Sequence, residues 1–98
     1  MTTLIVTRPR PQCVAWLARL AELGVKAVGL PLIEILPVRE PAPVVAAWVG
    51  LLETDLAVFV SPNAVEQFFL HADRPWPART LAACVGPGSA QALIERGV

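Results

Sequence analysis

The sequence predicts a doubly wound α/β fold built on parallel strands, and three observations support this class. Short apolar runs alternate with amphipathic helical segments along the 98 residues, which is the order typical of parallel sheets with helical crossovers. A polar or glycine-containing turn joins strand to helix three times, at Thr7, Ser61 and Gly86. The run 56–60 is apolar throughout, as in strands with helices on both sides. We therefore expect this strand to be buried on both faces.

The first third of the chain has the pattern of a short βαβ unit. Residues 4–6 are an apolar strand, and prolines in the turn 7–11 end it. An amphipathic helix is expected over 12–23, closed by Gly24. Residues 25–30 form the second strand, and the crossover between the two strands should be right-handed.

A proline-rich stretch then separates two parts of the chain. Residues 31–37 carry prolines at both ends and Glu34 within an apolar run, a pattern that is unusual for the middle of a sheet. We interpret them as an extended segment that passes between two bodies. Residues 38–43 are rich in proline and charge and are typical of a linker. The best candidate domain boundary lies in this stretch.

The stretch 56–69 organises the second part as a strand, a tight polar turn and a helix. Ser61 is a good N-cap, and Pro62 suits the first helical position because an amide proton there would be unpaired anyway. Asn63 with Glu66 three residues later offers a competing cap. The expected apolar stripe of this helix consists of Val65, Phe68, Phe69 and Ala72.

Further helices and a strand flank this central stretch. A helix is expected from position 43 or 44 to about 53. After a loop over 73–79, residues 81–85 form a strand, and a glycine turn leads into a helix over 89–96. Val98 would begin another strand, so we interpret the chain as a fragment.

Composition restricts the classes of function. Hydrophobic residues make up 55% of the chain and the mean hydropathy is +0.59, which implies a larger partner or missing chain. Eight basic and eight acidic side chains cancel, so no net field favours nucleic acid or a membrane surface. No membrane span or signal peptide is evident. Cys13 and Cys84 are too few for a disulfide framework or a zinc site, and we expect a cytoplasmic protein.

Polar residues at the expected carboxyl ends of strands form a candidate ligand site. Ligands of open α/β sheets bind beside such turns, and hydroxyls, a guanidinium and helix amides suit anions. The five residues, here called the ligand set, are Thr7, Arg8, Ser61, Asn63 and Ser89. The set holds no obvious general base and would suit an enzyme that positions a reactive substrate. Alternatively, Ser61 and Asn63 only cap a helix, and Arg8 is a solvated surface residue.

Familiar catalytic and nucleotide-binding motifs do not occur in the sequence. The one histidine, His71, falls at a helix end and is interpreted as structural rather than as a catalytic base. Gly86 and Gly88 follow a strand, as in a dinucleotide fingerprint, but Gln91 stands where the third glycine is required. The Gly-Lys-Ser/Thr of a P-loop is absent as well.

Four segments together resemble the uroporphyrinogen-III synthase family in order and spacing. They are 4–9 (LIVTRP), 31–35 (PLIEI), 59–65 (FVSPNAV) and 84–90 (CVGPGSA). The resemblance runs through the whole chain, which is similar to the first two-fifths of that enzyme. The resemblance implies two flavodoxin-like α/β domains of which only the first part is present.

On that pattern, residues 1–35 are the first βαβ of domain 1, to be completed by a missing C-terminal part. Residues 36–98 are then the linker and the first half of domain 2. The family's Thr-Ala after the glycine turn is replaced by Ser89-Ala90, which keeps a hydroxyl. A tyrosine thought to assist loss of the substrate hydroxyl lies in the later part of the family sequence, and this chain has no tyrosine.

The resemblance also implies a reaction, that of a carbon–oxygen lyase of haem biosynthesis. The family cyclises hydroxymethylbilane to uroporphyrinogen III with loss of water and inversion of the last pyrrole ring, and it needs no cofactor or metal. Its substrate bears eight carboxylates and binds between the domains, at motifs that the ligand set matches. We expect a monomeric full-length enzyme with a small-molecule substrate, no nucleic-acid or membrane partner, and an inactive fragment.

Two alternatives remain open at this point. A flavodoxin-like module that binds a small molecule or nucleotide without catalysis would share the strand–turn–helix pattern. A truncated product without activity, associating through an exposed sheet edge, would explain the apolar composition.

Overall fold

The computed structural model describes residues 2–98, so Met1, the first residue of the predicted first domain, lies outside them. The chain divides into two compact units, Met1–Leu36 and Pro37–Val98. This division falls one residue after the boundary drawn from the sequence. Completion of the first unit by further chain stays a prediction.

Unit 1 is a βαβ element. Strand β1 (Leu4–Val6), helix α1 (Arg10–Glu22) and strand β2 (Ala27–Gly29) follow in order. The two strands are parallel, with Leu4 opposite Ala27 and Val6 opposite Gly29. Cys13 on α1 and Val6 on β1 are 3% and 5% exposed and form the small core between helix and strands.

Both ends of α1 differ from the sequence expectation. The helix begins at Arg10, inside the predicted turn, because Pro11 lies in its first turn, where the missing amide proton leaves no bond unmade. Gly24 follows the helix with φ of +74°, as expected. The Val25 amide bonds back to the Leu20 carbonyl at 2.9 Å and so belongs to the helix end. Strand β2 therefore starts two residues later than predicted.

Residues 30–38 carry no regular secondary structure, and the expected extended segment between two bodies stays a prediction. The backbone first remains tied to β1, because the Leu30 amide bonds to the Val6 carbonyl at 2.8 Å and the Leu32 amide to the Thr7 carbonyl at 3.3 Å. Regular structure resumes at Ala42 in unit 2.

Unit 2 is a second α/β element with parallel strands, and the two units together confirm the predicted fold class. Its elements are α2 (Ala42–Gly50), a 3₁₀ turn (Leu51–Glu53), β3 (Leu56–Phe59), α3 (Pro62–Phe69), β4 (Leu81–Cys84) and α4 (Pro87–Glu95). Strands β3 and β4 pair in parallel from Leu56 opposite Leu81 to Phe59 opposite Cys84. Helix α4 starts before the predicted Ser89 because Pro87 also occupies a first-turn position. Within residues 2–98, every helix is too short or too polar to cross a membrane.

The core of unit 2 is aromatic. Trp48 and Val65 are fully buried, and Phe59 and Leu93 are nearly so. Ring contacts with centroids 4.7–6.4 Å apart connect a group that we call the aromatic cluster, namely Trp48, Phe59, Phe68, Phe69 and Trp76. This cluster holds α2, α3 and the loop after α3 against β3.

The expectation that the 56–60 strand is buried on both faces is wrong. Phe59 is buried and Ala57 packs against the core of unit 2, whereas Leu56 and Val58 are 51% and 61% exposed. The reason is that α3 and α4 cover the same face of the two-stranded sheet, so alternate residues have no second layer above them. A continuous apolar run shows that both faces can be buried, and neighbouring elements decide whether they are.

Candidate functional site

Unit 2 brings three members of the ligand set to one edge of its sheet. Strands β3 and β4 are parallel neighbours, so their carboxyl ends meet at the same edge, and a helix begins after each. A Cβ atom placed on Gly88 of α4 would lie 3.5 Å from Cγ of Pro62 on α3. The first turns of α3 and α4 are therefore side by side, with Ser61 and Asn63 at one and Ser89 at the other.

Ser61 caps α3, as the sequence predicts. Its Oγ accepts a hydrogen bond from the Ala64 amide at 3.1 Å, from an extended backbone with φ of −161°. The competing arrangement of Asn63 and Glu66 is not the cap that forms. Because the Ser61 hydroxyl acts as an acceptor in this bond, its proton is free for a further partner, and the residue is only half-buried.

Ser89 and Asn63 occupy the first turns of their helices in different settings. Asn63 is half-buried at the second position of α3. Ser89 is 2% exposed, so its hydroxyl is far less accessible to solvent than that of Ser61. A ligand at this edge would therefore contact the exposed backbone of residues 85–88 and not the buried side chain of Ser89.

The turn between β4 and α4 exposes backbone. Gly86 has φ of 82° and ψ of 163°, a region that is essentially restricted to glycine. It caps α4 without a side-chain hydrogen bond, and residues 85–88 are exposed. The first amides of a helix have no intrahelical partner and carry the positive end of its dipole. This geometry shows that the backbone of the turn requires glycine at position 86, and the start of α4 can accept a carboxylate.

Unit 1 holds the other two members, directly after β1. Thr7 is exposed and Arg8 is half-buried. The Cζ atom of Arg8 lies 5.2 Å from the centroid of the Trp16 ring on α1, which is a cation–π geometry. Within residues 2–98, no carboxylate forms an ion pair with Arg8. The charge is thus held in place by an aromatic ring rather than neutralised.

The structure therefore groups the ligand set by unit. It brings Ser61, Asn63 and Ser89 together in unit 2 and Thr7 and Arg8 together in unit 1. Their assignment as substrate-binding residues stays a prediction. His71 follows the C-terminal end of α3, the end opposite Ser61, and so lies away from this edge. Helix periodicity does not predict the contact of Trp16 with Arg8, because that contact crosses the turn between β1 and α1.

Comparison with known proteins gives a consistent result. The family model described as Uroporphyrinogen-III synthase HemD matches residues 14–98. A uroporphyrinogen-III synthase of Salmonella typhimurium is 34% identical over 93% of this chain, and one of Chlorobaculum parvum is 31% identical over 100% of it. The porphyrin biosynthesis protein HemD of Ruminiclostridium josui is 29% identical over 99% of the chain.

These relatives are longer than the chain. The matched region is 40% of the Chlorobaculum protein, 38% of the Salmonella protein and 20% of the Ruminiclostridium protein. The family model nevertheless covers most of the 98 residues, from the second turn of α1 to residue 98. The chain belongs to the uroporphyrinogen-III synthase family.

Proposed function

We propose that this chain forms part of a uroporphyrinogen-III synthase. The complete enzyme would cyclise hydroxymethylbilane to uroporphyrinogen III, with loss of water and inversion of the last pyrrole ring, as a carbon–oxygen lyase of haem biosynthesis. It would act as a cytoplasmic monomer. The 98 residues alone would be inactive, because the matched region is two-fifths or less of each relative.

The observation that carries the proposal, beside the family match, is the pairing of two helix N-termini at one sheet edge. The first turns of α3 and α4 lie side by side, and exposed backbone at 85–88 leads into α4. Both N-termini place the positive end of a helix dipole at this edge, and the amides of Gly88 and Ser89 follow Pro87 in the first turn of α4. A substrate with eight carboxylates has the charge that this edge would attract.

Each member of the ligand set would then contribute a different kind of contact to the substrate. Ser61 would donate its free hydroxyl proton to a carboxylate, and the amides at the start of α4 would bind another. Ser89 would contribute through its amide, because its side chain is buried. Arg8 would supply the one full positive charge of the set, and Thr7 a hydroxyl beside it.

Such an arrangement favours catalysis by positioning. The ligand set contains no carboxylate, histidine or lysine, so it offers no general base of ordinary kind. Holding a flexible linear tetrapyrrole with its ends close together would convert ring closure into a favourably oriented intramolecular step. The inverted last ring would be selected by the conformation that the carboxylate contacts impose.

A cyclisation assay tests this proposal. Purified complete protein containing this chain is incubated with hydroxymethylbilane, and the type I and type III uroporphyrinogen isomers are separated. The bilane closes spontaneously to type I, so an excess of type III reports the enzyme. We expect type III from the complete protein, also with EDTA and without added cofactor, and only type I from the 98 residues alone.

Each alternative outcome has a defined meaning. Type I alone from the complete, folded protein would overturn the proposed activity. Type III from the 98 residues alone would overturn the proposal that they are inactive, while leaving the activity in place. Saturable binding of FMN or a nucleotide without type III formation would favour the flavodoxin-like binding module instead.

A further inference from the structure

Arg8 and Trp16 form a pair on the surface of unit 1. The guanidinium carbon lies 5.2 Å from the indole centroid, close enough for a cation–π interaction. Trp16 is 50% exposed, although tryptophan is usually among the more buried residues. The ring is therefore only partly used for the core, in which the neighbouring Cys13 is 3% exposed.

Such a pair orients the positive charge of the guanidinium without neutralising it. When an arginine pairs with a carboxylate of the protein, its N–H donors are occupied and its positive charge is neutralised. One held over an indole by a cation–π contact keeps its net charge, and its N–H groups have no carboxylate partner to give up when a ligand binds. Within residues 2–98, neither an ion pair nor a hydrogen bond of the Arg8 guanidinium competes with a ligand.

The long side chain of arginine makes this support useful. An arginine side chain loses conformational entropy when a ligand fixes its rotamers. A side chain that is already ordered loses less entropy when the ligand binds. The ring at Trp16 reaches Arg8 from the second turn of α1, on an element that β1 and β2 hold in place. The support is thus a rigid part of the unit rather than another flexible side chain.

We propose that Trp16 is a positioning residue, which holds the Arg8 guanidinium ready for a carboxylate of the substrate. This inference rests on the proposed function for the identity of the substrate. Trp16 itself makes no hydrogen bond to the ligand in this mechanism. Its effect on binding passes entirely through Arg8, and that property makes the inference testable.

The test is a double-mutant cycle in the complete protein. Trp16→Leu should raise KM for hydroxymethylbilane about two- to fivefold, the size expected for an exposed cation–π contact, with little change in kcat. Trp16→Phe should keep KM close to the wild-type value, because phenylalanine also offers an aromatic face to Arg8. In the Arg8→Ala background, Trp16→Leu should have no further effect. Val14→Ala, at a position of α1 that is 63% exposed, is the matched control and should leave KM unchanged.

A binding measurement separates this inference from the proposed activity. Isothermal titration with uroporphyrin III, which keeps the eight carboxylates, gives Kd for the same variants without turnover. If the wild type makes no type III isomer but Trp16→Leu weakens uroporphyrin binding only when Arg8 is present, the inference stands and the proposed activity fails. If Trp16→Leu leaves both KM and Kd unchanged, or changes them equally with and without Arg8, the inference is overturned.

Discussion

The indole N–H of Trp48 donates a 2.8 Å hydrogen bond to the carbonyl oxygen of Phe68, and the two rings stack with centroids 4.7 Å apart. Trp48 lies on α2 and Phe68 in the last turn of α3, where carbonyl groups run out of intrahelical amides. Trp48 therefore gives a carbonyl at the end of α3 a second donor, beside the His71 amide, and fills the core at the same time. This double contact fixes α2 against α3.

Removing Trp48 should unfold unit 2 at lower denaturant concentration. Trp48→Ala should lower the free energy of unfolding by about 3–5 kcal/mol, because it leaves a cavity in a fully buried position. Trp48→Phe should lose about 1 kcal/mol, since the Phe68 carbonyl loses the shorter of its two hydrogen bonds and keeps only the 3.3 Å bond from the His71 amide. Val49→Ala, at the next and half-exposed position, should stay within about 0.5 kcal/mol of wild type. Urea unfolding measures all three, and a Trp48→Phe variant as stable as wild type would contradict a stabilising role for the bond.

Substitutions of Ser61 can separate helix capping from ligand binding. Ser61→Ala should cost about 1 kcal/mol, because the Ala64 amide loses its acceptor. Ser61→Asp should keep the cap and the stability, since aspartate caps helices well and favours the positive end of the dipole. If the complete protein has the proposed activity, Ser61→Asp should nevertheless raise its KM for hydroxymethylbilane at least about tenfold, because a carboxylate would face the carboxylates of the substrate. Normal turnover by Ser61→Asp, measured beside its melting temperature, would leave Ser61 as a cap only.

Two glycines with open space around them should respond to alanine in opposite directions. A Cβ would meet nothing within 4 Å at either Gly86 or Gly50, so packing plays no part in the comparison. Gly86→Ala should cost about 1–3 kcal/mol, because φ of +82° strains any residue with a Cβ. Gly50→Ala, at φ of −72°, should add about 0.4–1 kcal/mol by restricting the unfolded chain. Equal effects in thermal unfolding would show that backbone strain is not the cause.

Gly29 should be replaceable only if its neighbour shrinks. An added Cβ would lie 2.8 Å from Sγ of Cys13 and 3.1 Å from Cδ1 of Leu17, so Gly29→Ala should cost about 1–3 kcal/mol. Combining it with Cys13→Ala should recover part of that loss, because the new methyl group occupies the space of the sulfur. The expected coupling is at least about 0.5 kcal/mol. Strictly additive costs in urea unfolding would refute the steric explanation.

The loop after α3 should show a pH dependence confined to acid conditions. Arg74 donates hydrogen bonds of 2.8 and 3.0 Å to the two carboxylate oxygens of Asp73, and this contact is the main reason why the pKa of Asp73 is lowered. The pair therefore stabilises the fold above the ordinary aspartate pKa, and the contribution is lost as pH falls through the lowered value. Arg74→Gln should raise the pKa of Asp73 in an NMR titration, whereas Arg79→Gln, a matched change nearby, should not. The overall effect on stability should be small, since both side chains are partly exposed.

Local chemistry made much of the fold predictable. The Ser61–Pro62 start of α3 and the glycine at the end of α1 follow from rules about single residues and their immediate neighbours. The exposure of Leu56 and Val58 does not follow from such rules, because it depends on which face of the sheet the helices cover. The early start of α1 at Arg10 shows the same limit: a proline can end a strand or begin a helix, and the packing of the whole unit decides.

The sequence predicts which positions form the candidate site, but it does not predict how exposed each side chain is. Parallel strand order sufficed to expect Ser61 and Ser89 at one sheet edge. It could not show that Ser89 would be buried while Ser61 kept access to solvent. The contact between Arg8 and Trp16 depends on how the turn directs α1 over the end of β1, and no residue spacing encodes that direction.

The distribution of aromatic residues gives the molecule separate optical reporters. The chain has three tryptophans and no tyrosine, so emission excited at 295 nm would come from Trp16 in unit 1 and from Trp48 and Trp76 in unit 2. The stacked and edge-on rings of the aromatic cluster should couple excitonically and produce near-ultraviolet circular dichroism, to which the half-exposed Trp16 contributes little. Trp16→Phe would leave fluorescence that reports on unit 2 alone. Unfolding of unit 2 can thus be followed separately from that of unit 1, without any added dye.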